Sequence, residues 1–260
     1  MLEFNEENHA KMVQSLRAQR TKLGAIINPF RSENLTQKQT IELNQVGKFL
    51  TLLNKPSHII THSDSPDFII SYGDQQIGLE HERVFKDENV SYVRSIKKLF
   101  FDASKIFEST YPGITLHAEC YLNTDNFKFK KNEAEQLQKE IAQYIFQVYQ
   151  NHLDPIKPYF IDEVSLMRYS GVSFSYNSGA HWVSNIDKTT LERAISKKNG
   201  LVKKYKVNSG KEEQWLLIVI GNASPDSYEF EENQFQIEIE TTFDKVILMD
   251  DFKMKAWQII

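Results

Sequence analysis

Three carboxylates fall on one face of a hairpin that the sequence predicts. Alternating residues mark two strands, 67–71 and 76–82, on either side of a Gly-Asp loop. With that loop, Asp67 lies directly opposite Glu80, and Glu82 follows on the same face two residues later. Opposed Cβ atoms in such a pair are about 5 Å apart, and like charges there destabilise the hairpin. We therefore expect a compensating cation, and an ion that prefers oxygen ligands, such as Mg²⁺, is suited to this role.

Two interpretations of this face are open from the sequence. Antiparallel hairpins often keep one face in water, and acidic residues are common on such a face. The alternative is a functional site, in which Gly78 on the same face leaves open space for a substrate backbone. His81 projects to the other face, so we do not expect it to bind a ligand together with Glu80 and Glu82. The residues that share its face are apolar and form the predicted core: Phe68, Ile70, Ile77 and Leu79.

A helix predicted over residues 36–53 brings a fourth carboxylate toward the hairpin. Its apolar stripe includes Val46, Phe49 and Leu50, and Glu42 lies four residues before Val46. Because residues four apart share one face of a helix, Glu42 is predicted to project inward with the stripe.

The order of these features resembles the PD-(D/E)XK nuclease-like superfamily. In that family an inward Glu lies on a helix, a Pro-Asp pair opens one strand, and a D/E-x-K tripeptide lies on the next. Here Glu42, Pro66-Asp67 and Glu80-His81-Glu82 occupy those positions. The resemblance implies a restriction-endonuclease-like α/β core, whose mixed, largely antiparallel central sheet is flanked by helices. It also implies hydrolysis of nucleic-acid phosphodiesters, with Mg²⁺ or Mn²⁺ held by Asp67, Glu80 and Glu42.

The third position of the tripeptide departs from the family, because Glu82 stands where the family has Lys. That Lys orients or polarises the attacking water. Some restriction endonucleases of the superfamily carry Glu there, and other members supply the Lys from a neighbouring helix. A helix predicted over 187–205, with an interruption at Gly200, offers Lys198 on its apolar stripe, unless that side chain extends to water or Gly200 shifts the helical phase. The catalytic residues that the resemblance implies are Asp67, Glu80, Glu82 and Lys198.

The charge distribution limits the class of nucleic-acid partner. The chain has 260 residues, a net charge of −4 and a pI near 6.0, which excludes a protein that coats DNA through bulk positive charge. Residues 188–211 nevertheless contain eight basic residues and one acid. This segment is predicted to contact phosphates, with a solvated helix face as the alternative. The candidate nucleic-acid-binding residues are Arg193, Lys197, Lys203 and Lys204.

We interpret the whole chain, 1–260, as one nuclease-like domain. Residues 1–35 are predicted to form an N-terminal helical extension, and residues 84–186 an insertion. Further helices are predicted over 91–109 and 131–152, and further strands over 115–122, 215–220 and 243–249, with an extended segment over 158–176.

Composition bears on compartment and partners. The single cysteine, Cys120, excludes an intramolecular disulfide and a CxxC zinc site. The chain start lacks a signal-peptide pattern, and no apolar run approaches the roughly 20 residues that span a bilayer. We therefore expect a cytoplasmic protein without a membrane partner. The expected partner is nucleic acid, DNA in the first place, and a homodimer or a partner protein stays open. The competing class is a catalytically inactive nuclease-like fold that binds protein or nucleic acid.

Overall fold

The computed structural model describes residues 6–31, 34–123, 127–178, 183–221, 226–232 and 239–260. Within these ranges the chain forms a mixed α/β fold, and none of its helices there is long and apolar enough to cross a membrane. The helices are α1 (Glu6–Ile27), α2 (Gln37–Leu52), α3 (Asp87–Thr110), α4 (Ala134–Tyr149), α5 (Lys188–Asn199) and α6 (Val202–Ser209). The strands are β1 (Ser57–His62), β2 (Phe68–Tyr72), β3 (Gln75–Arg83), β4 (Leu116–Leu122), β5 (Ile161–Met167), β6 (Val172–Asn177), β7 (Ser184–Asn185), β8 (Gln214–Ile220), β9 (Tyr228–Glu229), β10 (Lys245–Asp250) and β11 (Lys255–Gln258).

The described elements cluster into two compact units. The first contains α1, α2, β1 to β3, α5, α6 and β7 to β11, and the second contains α3, α4 and β4 to β6. The chain passes from the first unit to the second after Phe85 and returns at Ser184. The assignment of 1–260 to one nuclease-like domain, with an extension over 1–35 and an insertion over 84–186, stays a prediction.

A six-stranded sheet forms the centre of the first unit, in the strand order β1-β2-β3-β8-β10-β11. Three neighbouring pairs are antiparallel, namely β1 with β2, β2 with β3 and β10 with β11. β8 is parallel to both of its neighbours, β3 and β10. The prediction of a mixed, largely antiparallel sheet is therefore confirmed.

Helices pack on both faces of this sheet, because its central strands are apolar on both sides. All residues of β8 are buried. Leu217 and Phe68 pack in a cluster with residues of α1 and α2 on one face. Leu216 and Ile218 pack in a cluster with residues of α5 and α6 on the other. The two faces of β3 are consequently lined by different helices, which decides what each of its side chains meets.

The hairpin of β2 and β3 has the register that the sequence predicts. Phe68 lies opposite Leu79, which puts Asp67 opposite Glu80. The loop reverses the chain in two residues because Gly73 adopts a φ of 60°, a conformation that a side chain would strain.

α2 has the phase that turns Glu42 inward. It begins at a capping box, in which the Thr36 hydroxyl accepts from the Gln39 amide and the Gln39 side chain accepts from the Thr36 amide. From that start Glu42, Val46 and Phe49 are all buried. These residues are four and three positions apart along the helix, so they lie on the same face.

The helical segment predicted over 187–205, with an interruption at Gly200, forms two short helices. Asp187 caps α5 by accepting a hydrogen bond of 2.7 Å from the Thr190 amide. Gly200 then separates α5 from α6. The buried stripe continues across this interruption, with Ile195 before it and Val202 after it. Gly200 therefore does not displace the stripe on which Lys198 lies.

A three-stranded sheet forms the second unit, in the order β5-β4-β6. β4 is antiparallel to β5 and parallel to β6. Ala118 and Cys120 on the inner face of β4 pack with residues of α3 and α4, among them Phe107 and Ile141. Burial raises the pKa of the Cys120 thiol to about 12, so this cysteine is an inert part of the core at neutral pH.

Gly78 lies on the Glu80 face of β3, where open space was predicted. That prediction is wrong, because the paired residue of β8, Gln214, covers the glycine with a fully buried side chain. A Cβ at position 78 would lie 2.2 Å from Gln214 Oε1. The Gln214 amide nitrogen donates to the Ser209 hydroxyl at 3.1 Å and to the Lys211 carbonyl at 2.7 Å, so the side chain is fixed there.

Gly78→Ala is expected to lower the free energy of unfolding by about 1–3 kcal/mol, because the added methyl group overpacks this closed contact. Urea denaturation of the full chain measures the change. Gly200→Ala is the matched control, since nothing lies within 4 Å of a Cβ there and the backbone φ is −64°. It should change stability by less than about 1 kcal/mol. Equal stability of Gly78→Ala and the wild type would contradict the closed contact.

Candidate active site

Asp67 and Glu80 lie side by side at the centre of the candidate site. The Asp67 amide donates a hydrogen bond of 3.3 Å to Glu80 Oε2, and the His81 amide donates one of 2.9 Å to Asp67 Oδ2. Each carboxylate is thus held by a backbone N–H of the facing strand. The Glu80 side chain is only 5% exposed, so water does little to stabilise its charge.

Burial and neighbouring negative charge raise the pKa of Asp67 to about 7. Loss of hydration is the largest cause, the charge of Glu80 is next, and the charge of Glu42 adds to both. The His81 amide and the Lys198 ammonium oppose this rise by stabilising the charged form. Burial, aided by the neighbouring carboxylates, therefore disfavours the charged form of Asp67, and a cation bound beside it would oppose that effect.

Lys198 enters the site from the last turn of α5. Its Nζ lies 2.6 Å from Glu80 Oε1 and 3.2 Å from Glu82 Oε2, and its side chain is 16% exposed. Burial alone would lower the pKa of Lys198, but hydrogen bonding and charge from Glu80, followed by those from Glu82, raise it overall. The sequence left open whether the Lys198 side chain points inward or extends to water, and in the structure it points inward.

Glu82 lies between two ammonium groups. Its Oε1 is 2.5 Å from Lys197 Nζ, while its Oε2 pairs with Lys198. The Lys197 side chain is largely exposed, so this contact closes the site on the solvent side. Lys197, a candidate for phosphate binding in the sequence, therefore contacts a site carboxylate in the structure.

Tyr205 of α6 is a site residue that the sequence reasoning did not single out for chemistry. Its ring is buried in the core, and its hydroxyl lies close enough to Glu80 for that carboxylate to act on its pKa. Burial and the charge of Glu80 raise the pKa of the Tyr205 phenol, so the group is a hydrogen-bond donor at neutral pH. The available signal was its position on the same stripe as Lys198, seven residues further along the chain.

The opposite face of β3 carries a second set of polar contacts. His81 is buried there, and its Nε2 lies 3.0 Å from Gln45 Oε1 on α2. The Gln45 amide nitrogen donates to Asp251 Oδ2 at 3.1 Å, and Lys48 donates to Asp251 Oδ1 at 2.6 Å. α2 is thereby joined to β3 and to the residue that follows β10 through continuous side-chain contacts.

Glu42 contacts His81 on this second face. Its Oε1 lies 3.9 Å from His81 Nδ1 and 3.3 Å from Lys38 Nζ. Burial lowers the pKa of His81 to about 3, with nearby positive charges adding to the effect, so the ring is neutral at pH 7. The charge of Glu42 still acts on Asp67. The four predicted carboxylates therefore form two groups, and Asp67 interacts with both.

The remaining predicted contacts to nucleic acid lie outside the carboxylate groups. Arg193 of α5 and Lys203 and Lys204 of α6 are exposed. They share their helices with Lys198 and Tyr205, so the helices that reach into the site also present basic side chains to water.

The donor chemistry of the site suits a hard divalent ion. In the part of the chain that the structure describes, no three His, Cys, Asp or Glu side chains are grouped closely enough to hold a metal ion. Mg²⁺ and Mn²⁺, however, are commonly bound by one or two carboxylates, with water and substrate phosphates as further ligands. The neighbouring carboxylates of Asp67 and Glu80 meet that requirement, and the charge of Glu42 on α2 also acts on Asp67.

Comparisons with protein-family models, with curated proteins and with solved structures found no match for this chain. The resemblance to the PD-(D/E)XK nuclease-like superfamily therefore depends on the residues of the motif and on their positions.

Because the pKa of Asp67 is raised in the folded protein, the free energy of unfolding is expected to change with pH in a known direction. The folded protein keeps a proton on Asp67 up to about pH 7, whereas the unfolded chain releases it near the ordinary value of 3.8. Between these values the folded state binds more protons, so the free energy of unfolding falls as the pH rises, by up to about 1.4 kcal/mol per unit. Asp67→Asn removes this loss, and the variant should gain stability over the wild type from about pH 4 to about pH 7.

Urea denaturation in EDTA, at several values across that range, measures the difference between the two proteins. Asp74→Asn in the exposed hairpin loop is the control and should follow the wild type at every pH. A constant difference between Asp67→Asn and the wild type would show that Asp67 titrates normally.

Proposed function

We propose that this chain hydrolyses phosphodiester bonds of nucleic acid, with DNA as the first substrate to test, in a reaction assisted by Mg²⁺ or Mn²⁺. The observation that carries the proposal is the contact of Lys198 with Glu80, because it brings a lysine from α5 to a motif that has Glu82 in the usual lysine position. An opposed acidic pair with an adjacent lysine is the arrangement that the resemblance implies for a nuclease.

The order of the elements supports the same proposal. The core of the superfamily is a helix, a three-stranded antiparallel meander, a second helix and a further strand. Here α2 precedes the meander β1-β2-β3, α5 and α6 come later in the chain, and β8 lies beside β3. This agreement in both chain order and strand neighbours favours a restriction-endonuclease-like core over an unrelated α/β fold.

Asp67 and Glu80 would hold the divalent ion, and Glu42 would add negative charge from α2. Such an ion lowers the pKa of an attacking water and neutralises charge on the phosphate. Asp67 is suited to this role because burial beside Glu80 disfavours its charged form, and a bound cation removes that penalty. The hydrogen bonds from the Asp67 and His81 amides orient both carboxylates in advance.

Glu82 would orient the attacking water or accept its proton. Its two lysine partners hold the carboxylate in one orientation, which is what a water-positioning group requires. With Glu80 engaged as a metal ligand, the Lys198 ammonium can turn to a phosphate oxygen of the substrate. Arg193, Lys203 and Lys204 would contact flanking phosphates, a binding contribution that is independent of sequence and weakens with salt.

Glu80→Gln tests the proposal directly. The full chain is incubated with plasmid, linear duplex DNA, single-stranded DNA and RNA in the presence of Mg²⁺ or Mn²⁺. Cleavage should fall at least about a hundredfold in the variant, because a neutral amide does not replace a metal-binding carboxylate. Glu108→Gln, at an exposed ion pair of the second unit, is the control and should cleave like the wild type. A wild-type protein that cleaves none of these substrates at high concentration would reject the proposal.

A catalytically inactive binding module is the second candidate, and the closed ion pairs favour it. Lys198 and Lys197 already neutralise Glu80 and Glu82 without any added ion. Such a cluster would serve to hold α5 on β3, and the exposed basic residues would still bind nucleic acid. Calorimetric titration with Mn²⁺ separates the two candidates, since a binding module of this kind has no affinity for the ion.

Lys198→Met is expected to bind Mn²⁺ more tightly than the wild type while losing cleavage. The ammonium competes with the ion for Glu80, and unit charges about 4 Å apart near a protein surface interact by about 4 kcal/mol. Calorimetry should therefore show a gain of at least about tenfold in Mn²⁺ affinity. Lys139→Met, at an exposed ion pair of the second unit, is the control and should match the wild type in both measurements. Weaker Mn²⁺ binding by Lys198→Met in a folded protein would contradict the competition.

A further inference from the structure

Two acceptor atoms face each other on the α2 side of β3. Glu42 Oε1 and His81 Nδ1 are 3.9 Å apart, and the two side chains are 7% and 1% exposed. Lys38 reaches the same carboxylate oxygen at 3.3 Å, but its side chain is 81% exposed, so it approaches Glu42 from solvent. In the described part of the chain, His81 Nδ1 still lacks a donor of its own, and a cation or a hydrogen-bond donor placed between the two atoms would satisfy both of them.

The hydrogen bonds of α2 determine which nitrogen of His81 carries the proton. The Gln45 amide nitrogen faces the Asp251 carboxylate and must donate to it, because a carboxylate only accepts. Gln45 Oε1 therefore faces His81 and accepts from Nε2, which carries the proton. Nδ1 then presents its lone pair toward Glu42, and among the described residues none donates a hydrogen bond to it.

We propose that a divalent ion binds between Glu42 Oε1 and His81 Nδ1, forming a mixed nitrogen–oxygen subsite beside Asp67. Bonds from such an ion to imidazole nitrogen and carboxylate oxygen are each about 2.0–2.2 Å long, so two ligand atoms of one ion lie at most about 4.4 Å apart. The observed 3.9 Å is within this limit. Water would complete the coordination.

The contacts behind His81 are those that a metal-binding histidine needs. Such a ring donates its second N–H to a neighbouring acceptor, which fixes both its orientation and its tautomer. Gln45 Oε1 is that acceptor, Asp251 holds Gln45, and Lys48 neutralises Asp251. A histidine that served packing alone would not require its outward nitrogen to face a buried carboxylate.

The ligand set also determines which ion the subsite prefers. Imidazole nitrogen favours first-row transition ions, whereas Mg²⁺ favours oxygen ligands and retains its water. The subsite is therefore expected to take Mn²⁺ in preference to Mg²⁺. This inference rests on the proposed metal-dependent function, because the ion would lie next to the Asp67 carboxylate of that site.

Pulsed electron paramagnetic resonance of the full wild-type chain with Mn²⁺ alone tests the subsite without any substitution. The Mn²⁺ signal should show coupling to a nitrogen nucleus, and the coupling should change to that of ¹⁵N when only histidine is labelled. Because the measurement uses the unaltered protein, it does not depend on how a variant folds.

His81→Gln identifies the ligand. Glutamine keeps an amide N–H for Gln45 but lacks the ring nitrogen that faces Glu42, so the nitrogen coupling should be lost. The preference for Mn²⁺ over Mg²⁺ should fall by at least about tenfold in calorimetry. His117→Gln makes the same replacement in the second unit, where Nε2 lies 3.1 Å from Ser175 Oγ, and it should leave the coupling unchanged.

Bound Mn²⁺ without nitrogen coupling, or coupling that survives in His81→Gln, would overturn the subsite. The proposed hydrolysis has a separate outcome. If the wild type cleaves nucleic acid while Mn²⁺ is bound through oxygen alone, the subsite is rejected and the hydrolysis stands. If Mn²⁺ couples to His81 but no substrate is cleaved, the subsite stands and the hydrolysis is rejected.

Discussion

The ion pairs of Lys198 are the contacts on which the rest of the site depends. Glu80 lies inside the sheet with a 5% exposed side chain, where a carboxylate without a partner would be strongly destabilising. Lys198 supplies the opposite charge at 2.6 Å, and the Tyr205 phenol lies near the same carboxylate. Both residues come from the helices that pack on this face of the sheet. The phase of α5 and α6 is therefore coupled to the position of Glu80, which explains why an ammonium group lies within an otherwise apolar stripe.

The alternation of β3 divides the polar residues between two environments. Glu80 and Glu82 point toward the lysines of α5, whereas His81 points toward α2, where Gln45 and Glu42 meet it. Asp67 lies at the end of the neighbouring strand and accepts a hydrogen bond from the His81 amide. The charges of Glu80 and of Glu42 both raise the pKa of Asp67, so the charge in each of the two environments affects this one carboxyl group. A single cation near Asp67 would consequently act on both.

Local periodicity was sufficient to predict the parts of the site that lie on one element or one hairpin. The Gly-Asp loop determined the register that puts Asp67 opposite Glu80, and the stripe of α2 determined the direction of Glu42. Residues that meet across the sheet could not be predicted in this way. Gln214 covers Gly78 because β8 pairs in parallel with β3, a neighbour that no local pattern specifies. The edge strands β1 and β11 were missed because they bury few side chains and so alternate weakly.

If the proposed resemblance holds, Glu82 stands where the superfamily has lysine, and the charge of this part of the site is the same in both arrangements. A lysine on the strand would contribute one positive charge, and Glu82 together with Lys197 and Lys198 also carries one positive charge. The helical arrangement differs in how the positive charges are held. Both lysines lie in the last turn of α5, where the helix dipole favours cations. Glu82 then fixes their ammonium groups over the sheet. Under the proposed resemblance, a strand lysine and a helical lysine would be alternative ways to balance the same carboxylates, and Glu82 would be the residue that holds the helical lysines in place.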